Sequence, residues 1–156
     1  MHITIVAVGQ KLPAWAQTAV DDYLARFSRD FTVIVKEVKA EARTGGKPVA
    51  QVMAAEAERI ERAVPAGDIL VAMDEHGRDM TTVDFAKKIS GWKNEGCGVT
   101  FIIGGADGLD PALKAKSRMM LRLSSMTLPH AFARVLLTEQ IYRAWSILAN
   151  HPYHRV

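Results

Sequence analysis

A fully apolar run followed by a glycine turn stands at residues 98–108, with the sequence Gly98-Val99-Thr100-Phe101-Ile102-Ile103-Gly104-Gly105-Ala106-Asp107-Gly108. An unbroken run of β-branched and aromatic residues is typical of a central strand in a parallel sheet. Asp110-Pro111 follows it, a pattern typical of a helix N-cap and a first-turn proline. Such a glycine turn lets the backbone approach a ligand closely. The alternative is a plain tight turn, because the spacing matches neither a dinucleotide fingerprint nor a phosphate loop.

Strands and helices alternate throughout the sequence that precedes this stretch. Apolar, β-branched runs predict strands at residues 2–9, 31–38 and 69–73. Amphipathic spacing predicts a helix opening at Pro13, and further helices at residues 48–64 and 82–93. The alternation predicts an α/β fold, an open and mainly parallel sheet with helices on both faces. A ligand is expected beyond the carboxyl ends of the central strands.

Length and composition favour a single intracellular domain. The chain has 156 residues, so we expect one domain spanning residues 1–156. Its one cysteine, Cys97, cannot form an internal disulfide, and this favours a reducing compartment. No stretch longer than 11 residues lacks a charged side chain, whereas a bilayer crossing needs about 20 apolar residues. The first ten residues resemble a strand and not a signal peptide, so a soluble, cytoplasmic protein without a membrane partner is expected.

Positive charge is concentrated in the last third of the chain. Residues 1–107 carry 13 Lys and Arg against 15 Asp and Glu, a net charge of −2, whereas residues 108–156 carry 7 against 2, a net charge of +5. Clustered basic side chains are what phosphate contacts require, so this distribution favours an anionic partner such as RNA. The alternative is that the charge only keeps the protein soluble.

Several kinds of site are excluded or disfavoured by the sequence. The chain has no cysteine pair, H-E-x-x-H helix or G-x-S-x-G elbow. His151 and His154 stand three residues apart, but Glu139 is the only carboxylate downstream of Asp110 to complete a set of ligands. We therefore expect no metal.

The segment from Leu121 onward is the most informative one. A strand runs into a small-residue loop and then into a helix, on which we expect an apolar stripe and an opposite polar face. Glu139 and Arg143 stand at i and i+4, where a surface ion pair is the simplest interpretation. The chain ends in aromatic, imidazole and guanidinium groups within a few positions. The predicted stripe comprises Phe132, Val135, Leu136, Tyr142, Trp145 and Leu148.

Three motifs together carry a family resemblance. These are Ile102-Ile103-Gly104-Gly105 with Asp107-Gly108-Leu109, the loop from Leu123 to His130, and Tyr142-Arg143-Ala144-Trp145-Ser146 through Asn150-His151-Pro152-Tyr153-His154-Arg155. They closely resemble the ribosomal RNA large subunit methyltransferase H family, and the likeness extends over essentially the whole chain. That family belongs to the SPOUT, or α/β-knot, methyltransferases. The resemblance implies a C-terminal trefoil knot, a homodimer, and S-adenosylmethionine-dependent methylation of N3 of a pseudouridine in 23S rRNA within the ribosome.

The resemblance also implies roles for individual residues. The cofactor-binding positions are Met73, Gly104, Leu123, Ser124, Ser125, Met126, Thr127 and Leu128. The catalytic candidates are Glu139, Arg143, His154 and Arg155, and the substrate-binding candidates are His130, His151 and Tyr153. N3 of pseudouridine must lose a proton, and either Glu139 or His154 could accept it. Arg143 and Arg155 would stabilise the developing charge or grip phosphates, and the site would be shared between two protomers.

Two other functions stay open at this point. One is ribose 2′-O-methylation by the same fold, and the other is a non-catalytic RNA-binding or ribosome-assembly module. Identifying the methylated atom distinguishes ribose methylation from base methylation. Binding of S-adenosylmethionine distinguishes an enzyme from a non-catalytic module.

Overall fold

A computed structural model describes residues 1–9 and 11–155. The described residues form a five-stranded, all-parallel sheet in the order β2-β1-β4-β3-β5. Single 3₁₀ turns occupy Thr44–Gly46 and Pro152–His154. The parallel sheet and the helices between its strands confirm the predicted α/β architecture. The elements in chain order are β1 (His2–Val8), α1 (Ala14–Leu24), β2 (Thr32–Val38), α2 (Val49–Ala63), β3 (Ile69–Arg78), α3 (Thr82–Asn94), β4 (Val99–Ile103), α4 (Pro111–Lys116), β5 (Met119–Leu121) and α5 (His130–Leu148).

Helices cover the sheet on both faces, as the alternation predicts. Successive side chains of a strand point to opposite faces. On one face Ile3 and Ile5 of β1 share a core with α3 and α5, while α1 packs beside α5. On the other face Val6 and Val8 share a core with α2 and α4. Burial of both faces explains why β1 and β4 are almost continuously apolar.

The strand register aligns the carboxyl ends of three central strands. Ile103 of β4 pairs with Ala7 of β1 on one side and with Met73 of β3 on the other. Met73 in turn pairs with Leu121 of β5. These strand ends therefore form one edge of the sheet, where an open α/β fold binds its ligands.

The third strand extends beyond its predicted end at Met73. Pairing with β5 is interrupted after Met73 and resumes where Arg78 pairs with Leu121, so the intervening residues bulge. Gly77 allows this return, because an added Cβ there would lie 2.7 Å from the carbonyl carbon of Leu121. The residues that follow the predicted strand end are thus an irregular continuation of β3 as far as Arg78.

The predicted apolar stripe of α5 is confirmed at Val135, Tyr142 and Trp145, which pack against the core, and is wrong at Phe132, Leu136 and Leu148, which are exposed. The helix contacts the sheet core through Leu137, Ile141 and Ala144, whereas Phe132 and Leu136 are exposed. The buried residues of α5 also include polar ones, Arg134, Thr138, Glu139 and Ser146. Since α5 lies between α1 and α3, its flanks are covered by protein as well as its base. Periodicity within one helix cannot reveal that neighbouring helices cover polar positions.

No described helix of the chain has both the length and the apolar character needed to span a bilayer. The trefoil knot stays a prediction from the family resemblance.

Candidate active site

A cleft opens at the carboxyl edge of the sheet. Its floor is formed by the strand-end residues Met73, Ile103 and Leu121, and Ala133 of α5 closes one side. The cavity has a volume of about 150 Å³. The predicted cofactor residues that line it are Met73, Leu123, Ser124, Met126, Thr127 and Leu128. The structure thus brings together residues 50 positions apart in the sequence.

The wall of the cleft is the loop from Leu123 to Leu128, and hydrogen bonds shape this loop. The Ser124 hydroxyl accepts a hydrogen bond from the Met126 amide at 2.9 Å. Just before the loop, Arg122 donates two hydrogen bonds to the Asp79 carboxylate, at 2.6 and 2.7 Å. Two-point guanidinium contacts hold geometry better than single ones. Ser125 belongs to the loop but does not line the cavity.

Sequence reasoning missed the acidic rim of the cleft. Asp74 and Glu75 line it beside Arg122. Burial raises the pKa of Asp74, but the His76 amide and the Lys114 ammonium, whose Nζ lies 3.1 Å from Oδ2, outweigh that effect and leave the pKa below its usual range. The carboxylate is therefore ionised at neutral pH. The available signal was its position directly after Met73, where the sequence predicts that the strand ends.

Gly104 lies next to the cleft residue Ile103 but does not itself line the cavity. An added Cβ at Gly104 would lie 2.6 Å from the carbonyl carbon of Gly108, so the turn closes tightly on this position. The turn is completed by a hydrogen bond from the Gly108 amide to the Gly105 carbonyl at 3.0 Å. An ion pair of 2.7 Å between Arg43 and Asp107 ties it to the loop before α2. Gly104 thus supports the edge of the cleft through backbone packing.

A second group of predicted residues gathers around Glu139, which is only 9% exposed. Its Oε1 atom accepts hydrogen bonds from Arg143 Nε at 2.8 Å and from the Tyr153 hydroxyl at 3.0 Å. Its Oε2 atom accepts one from Gln140 at 2.8 Å. The carboxylate raises the pKa of Arg143, and burial together with contacts to Tyr23 and Glu139 raises that of Tyr153. We call this group, completed by His154 and Ser146, the tail cluster.

The other terminal residues differ in how firmly they are held. His154 Nδ1 lies 3.1 Å from the Ser146 hydroxyl, which also donates to the Arg143 carbonyl at 2.8 Å. His151 Nδ1 accepts a hydrogen bond from the Tyr153 amide at 3.2 Å. Arg155 is exposed. The Trp145 indole packs among Phe27, Tyr142 and His151 and donates to the Ser28 hydroxyl, so it belongs to the aromatic core.

His130 joins a separate network at the start of α5. Its Nε2 atom accepts a hydrogen bond from Arg134 Nε at 2.8 Å, and Arg134 Nη1 donates to Glu37 at 2.5 Å. Burial and the Arg134 charge lower the pKa of His130, against a smaller opposing effect of Glu37. Neither Arg134 nor Glu37 was singled out from the sequence, because they are 97 residues apart.

The cleft and the tail cluster lie at different positions along α5. Ala133, at the start of the helix, lines the cleft, whereas Arg143 is ten residues further on, or about 15 Å along the helix axis. Within one chain the structure therefore does not bring the predicted cofactor residues and the predicted catalytic residues together. Among residues 1–9 and 11–155, no group of three or more His, Cys, Asp or Glu side chains could hold a metal ion.

Comparisons with known proteins match the whole chain. The model of a family described as "Predicted SPOUT methyltransferase" matches residues 1–154. The chain is 53% identical over 156 residues to the ribosomal RNA large subunit methyltransferase H of Ralstonia pickettii (strain 12J), covering 100% of both chains. It is 54% identical over 155 residues to the protein of the same name from Bordetella avium (strain 197N), covering 99% of both.

Solved structures share the fold at low identity. A probable methylase family protein from Haemophilus influenzae Rd KW20 superposes with a TM-score of 0.58 at 14% identity, covering 99% of this chain and 70% of that one. A putative methylase family protein from Neisseria gonorrhoeae gives a TM-score of 0.54 at 14% identity, covering 96% of this chain and 93% of the other. At this identity the likeness concerns the fold alone.

Proposed function

The chain belongs to the SPOUT methyltransferase family, and from that premise we propose that it methylates N3 of a pseudouridine in 23S rRNA, acting on assembled ribosomes in the cytoplasm. Its relatives named ribosomal RNA large subunit methyltransferase H support an rRNA substrate. The observation that carries the proposal is the cleft at the carboxyl edge of the sheet, where six of the eight expected cofactor residues meet.

The chemistry of the cleft fits S-adenosylmethionine. Met73, Ile103 and Leu128 offer an apolar surface for an adenine ring, and the loop from Leu123 to Leu128 offers backbone hydrogen bonds. The ionised Asp74 at the rim suits a ligand with positively charged groups. When bound, S-adenosylmethionine would supply an electrophilic methyl group, so the protein has to supply position and a deprotonated nucleophile.

A homodimer with a shared site would bring the two groups of residues together. Phe132, Leu136 and Arg143 fall on one side of α5, at spacings of four and seven residues. Phe132 and Leu136 are exposed, and Trp15 of α1 packs against Phe132 in a tilted arrangement with ring centroids 4.8 Å apart. We call Trp15, Phe132 and Leu136 the apolar patch. A two-fold axis through this patch would run two α5 helices antiparallel and place the tail cluster of one protomer toward the cleft of its partner.

His154 is the proton acceptor in this proposal. The Ser146 hydroxyl has one proton and donates it to the Arg143 carbonyl, so its oxygen accepts a hydrogen bond from His154 Nδ1–H. In a neutral imidazole ring with this tautomer, Nε2 would be the nitrogen without a proton and would take the N3 proton of the base. Loss of that proton would free the N3 lone pair for the methyl group, which S-adenosylmethionine held by the cleft residues would supply.

Glu139 acts as a positioning residue in this arrangement and not as the base. Its Oε1 atom already accepts hydrogen bonds from Arg143 and Tyr153, and its Oε2 atom accepts one from Gln140. Arg143 contacts Oε1 through both Nε and Nη2. Arg143, oriented in this way, would stabilise the negative charge that develops on the deprotonated base. Exposed Arg155 would contact a phosphate, and His151 and Tyr153 would line the substrate side.

The proposal is tested on ribosomal particles from a strain that lacks this protein. Incubation with the protein and S-adenosylmethionine, followed by digestion and mass spectrometry, should yield a pseudouridine that carries one methyl group on the base. A methyl group on the ribose would support 2′-O-methylation instead. An unmodified rRNA, together with no calorimetric heat on titration of S-adenosylmethionine, would support a non-catalytic RNA-binding module.

A further inference from the structure

The network at the start of α5 determines which nitrogen of His130 carries the proton. Arg134, only 2% exposed, donates from Nε to His130 Nε2 and from Nη1 to Glu37. A guanidinium is always protonated and can only donate, so His130 Nε2 has to be the unprotonated acceptor. A neutral imidazole has one N–H, which in His130 therefore lies on Nδ1.

The surroundings of His130 also oppose a second proton on the ring. The charged groups facing it are Arg134 on its own helix and Glu37 on β2, and the guanidinium is the one in direct contact. Gly9, which follows β1 and carries no charge, also lies near the ring: an added Cβ at Gly9 would lie 3.8 Å from His130 Nε2. His130 is also the first residue of a 19-residue helix, whose amino end disfavours positive charge.

The Nδ1–H group points away from this network. Within residues 1–9 and 11–155, two buried side-chain atoms lack a hydrogen-bond partner: Asp107 Oδ2, which forms the ion pair with Arg43, and Arg134 Nη2. His130 is only partly buried, and its Nδ1 atom has no hydrogen bond to a described residue. It is a donor without a partner in the described part of the chain.

This donor lies beside the cleft. Leu128 and Ala133, on either side of His130 in the sequence, both line the cavity. Gly9, which approaches the ring, continues β1, and β1 pairs through Ala7 with the cleft residue Ile103. The strand that ends beside His130 is therefore the direct neighbour of β4, whose last residue forms part of the cleft floor.

We propose that Arg134 is a positioning residue that fixes His130 as the Nδ1–H tautomer, and that this N–H donates to a carbonyl oxygen of the substrate base. The inference rests on the proposed function, which it deepens. N3 of pseudouridine lies between two carbonyl groups, so loss of its proton moves negative charge onto their oxygens. A fixed N–H donor at one of them stabilises that charge without taking up a proton.

Two substitutions separate this role from a purely structural one. His130→Asn places its amide nitrogen near the Nδ1 position, keeping the donor but removing the acceptor for Arg134. His130→Gln places its amide near the Nε2 position, keeping an acceptor for Arg134 but removing the donor. We expect kcat to fall about 100-fold in H130Q, whose unfolding temperature stays near that of the wild type, and to stay within about tenfold in the less stable H130N. The reverse order of kcat values, or equal values in both variants and the wild type, would overturn the proposal.

The tautomer itself is measured by nitrogen NMR on protein with ¹⁵N-labelled histidine, without any RNA. The wild type should show a protonated Nδ1 and an unprotonated Nε2 at His130 near neutral pH. In the double variant R134M/E37Q, which removes the guanidinium without leaving an unpaired carboxylate, the proton should redistribute toward Nε2. An Nε2–H signal in the wild type would overturn the proposal even if rRNA is methylated. Absence of methylation with the Nδ1–H tautomer intact would overturn the proposed function and leave the effect of Arg134 on the tautomer standing.

Discussion

Glu139 and His154 share one hydrogen-bonded cluster but have different roles in the proposed mechanism, so their substitutions should differ. His154→Ala removes the proton acceptor and should lower kcat by about 10²–10⁴-fold, with S-adenosylmethionine affinity unchanged. Glu139→Gln keeps hydrogen bonds to the tail but weakens the orientation of Arg143, and it should cost roughly tenfold. Single-turnover methylation of ribosomal particles measures both. An E139Q variant as slow as H154A would contradict the minor, positioning role of Glu139, and full rates in both variants would remove both residues from the mechanism.

The lowered pKa of His130 should make stability depend on pH. In the unfolded chain the imidazole gains its proton near its ordinary value, whereas in the folded chain burial and Arg134 oppose protonation. Between the two pKa values the unfolded state therefore binds more protons than the folded state. The stability that the neutral His130 side chain contributes is complete above a pH of about 6.5 and is lost as the pH falls toward the folded pKa. Denaturant unfolding of the wild type and H130Q at a series of pH values should show a smaller loss in the variant. Parallel curves would contradict this assignment.

The glycine turn after β4 gives a matched pair of substitutions. Gly104→Ala would place a Cβ 2.6 Å from backbone and should lower the unfolding free energy by about 1–3 kcal/mol, with a loss of S-adenosylmethionine affinity. Gly91→Ala, within α3 and with no atom within 4 Å of the added Cβ, should raise it by about 0.5–1 kcal/mol. Denaturant unfolding and calorimetric titration test both. An unchanged G104A protein would mean that the turn is free to relax.

Most strands and helices were predictable because local signals specify them. The run from Val99 to Ile103 is apolar without interruption, and Pro13, Pro48 and Pro111 each stand within one residue of a helix start. The exposed side of α5 was not predictable, because it depends on α1 and α3 lying on both of its flanks. The same holds for strand order, which arises from long-range pairing and leaves no trace in local periodicity.

The candidate site was predictable only in part. The family resemblance supplied the loop from Leu123 to Leu128 and the tail residues, and the structure places six of the eight cofactor candidates around one cleft. Their roles stay predictions. The pairing of Arg134 with both His130 and Glu37 could not be found from sequence patterns, because it joins β2 to α5 across 97 residues. The acidic rim at Asp74 escaped notice because the predicted strand ends at Met73 and no role was assigned to the residue after it.

At the scale of the whole molecule, we expect the exposed apolar patch of Trp15, Phe132 and Leu136 to form the dimer interface. Replacing Phe132 by Arg puts a charge at the centre of the patch and should give a monomer with little methylation activity. Val49→Arg, an equally exposed apolar position on α2 at the opposite face of the sheet, is the matched control and should stay dimeric. Sedimentation velocity measures the mass of each. A dimeric F132R protein would place the interface elsewhere.

Formation of one site from two protomers is tested most directly by mixing two inactive variants. L128R blocks the cleft and keeps the tail, whereas H154A keeps the cleft and loses the proton acceptor. In a mixed dimer, one of the two sites combines an intact cleft with an intact tail from the other protomer. Random exchange of equal amounts makes half of the dimers mixed, so methylation of ribosomal particles should recover to about a quarter of the wild-type rate. No recovery in dimers shown to have exchanged would mean that each chain uses its own tail, which contradicts the account.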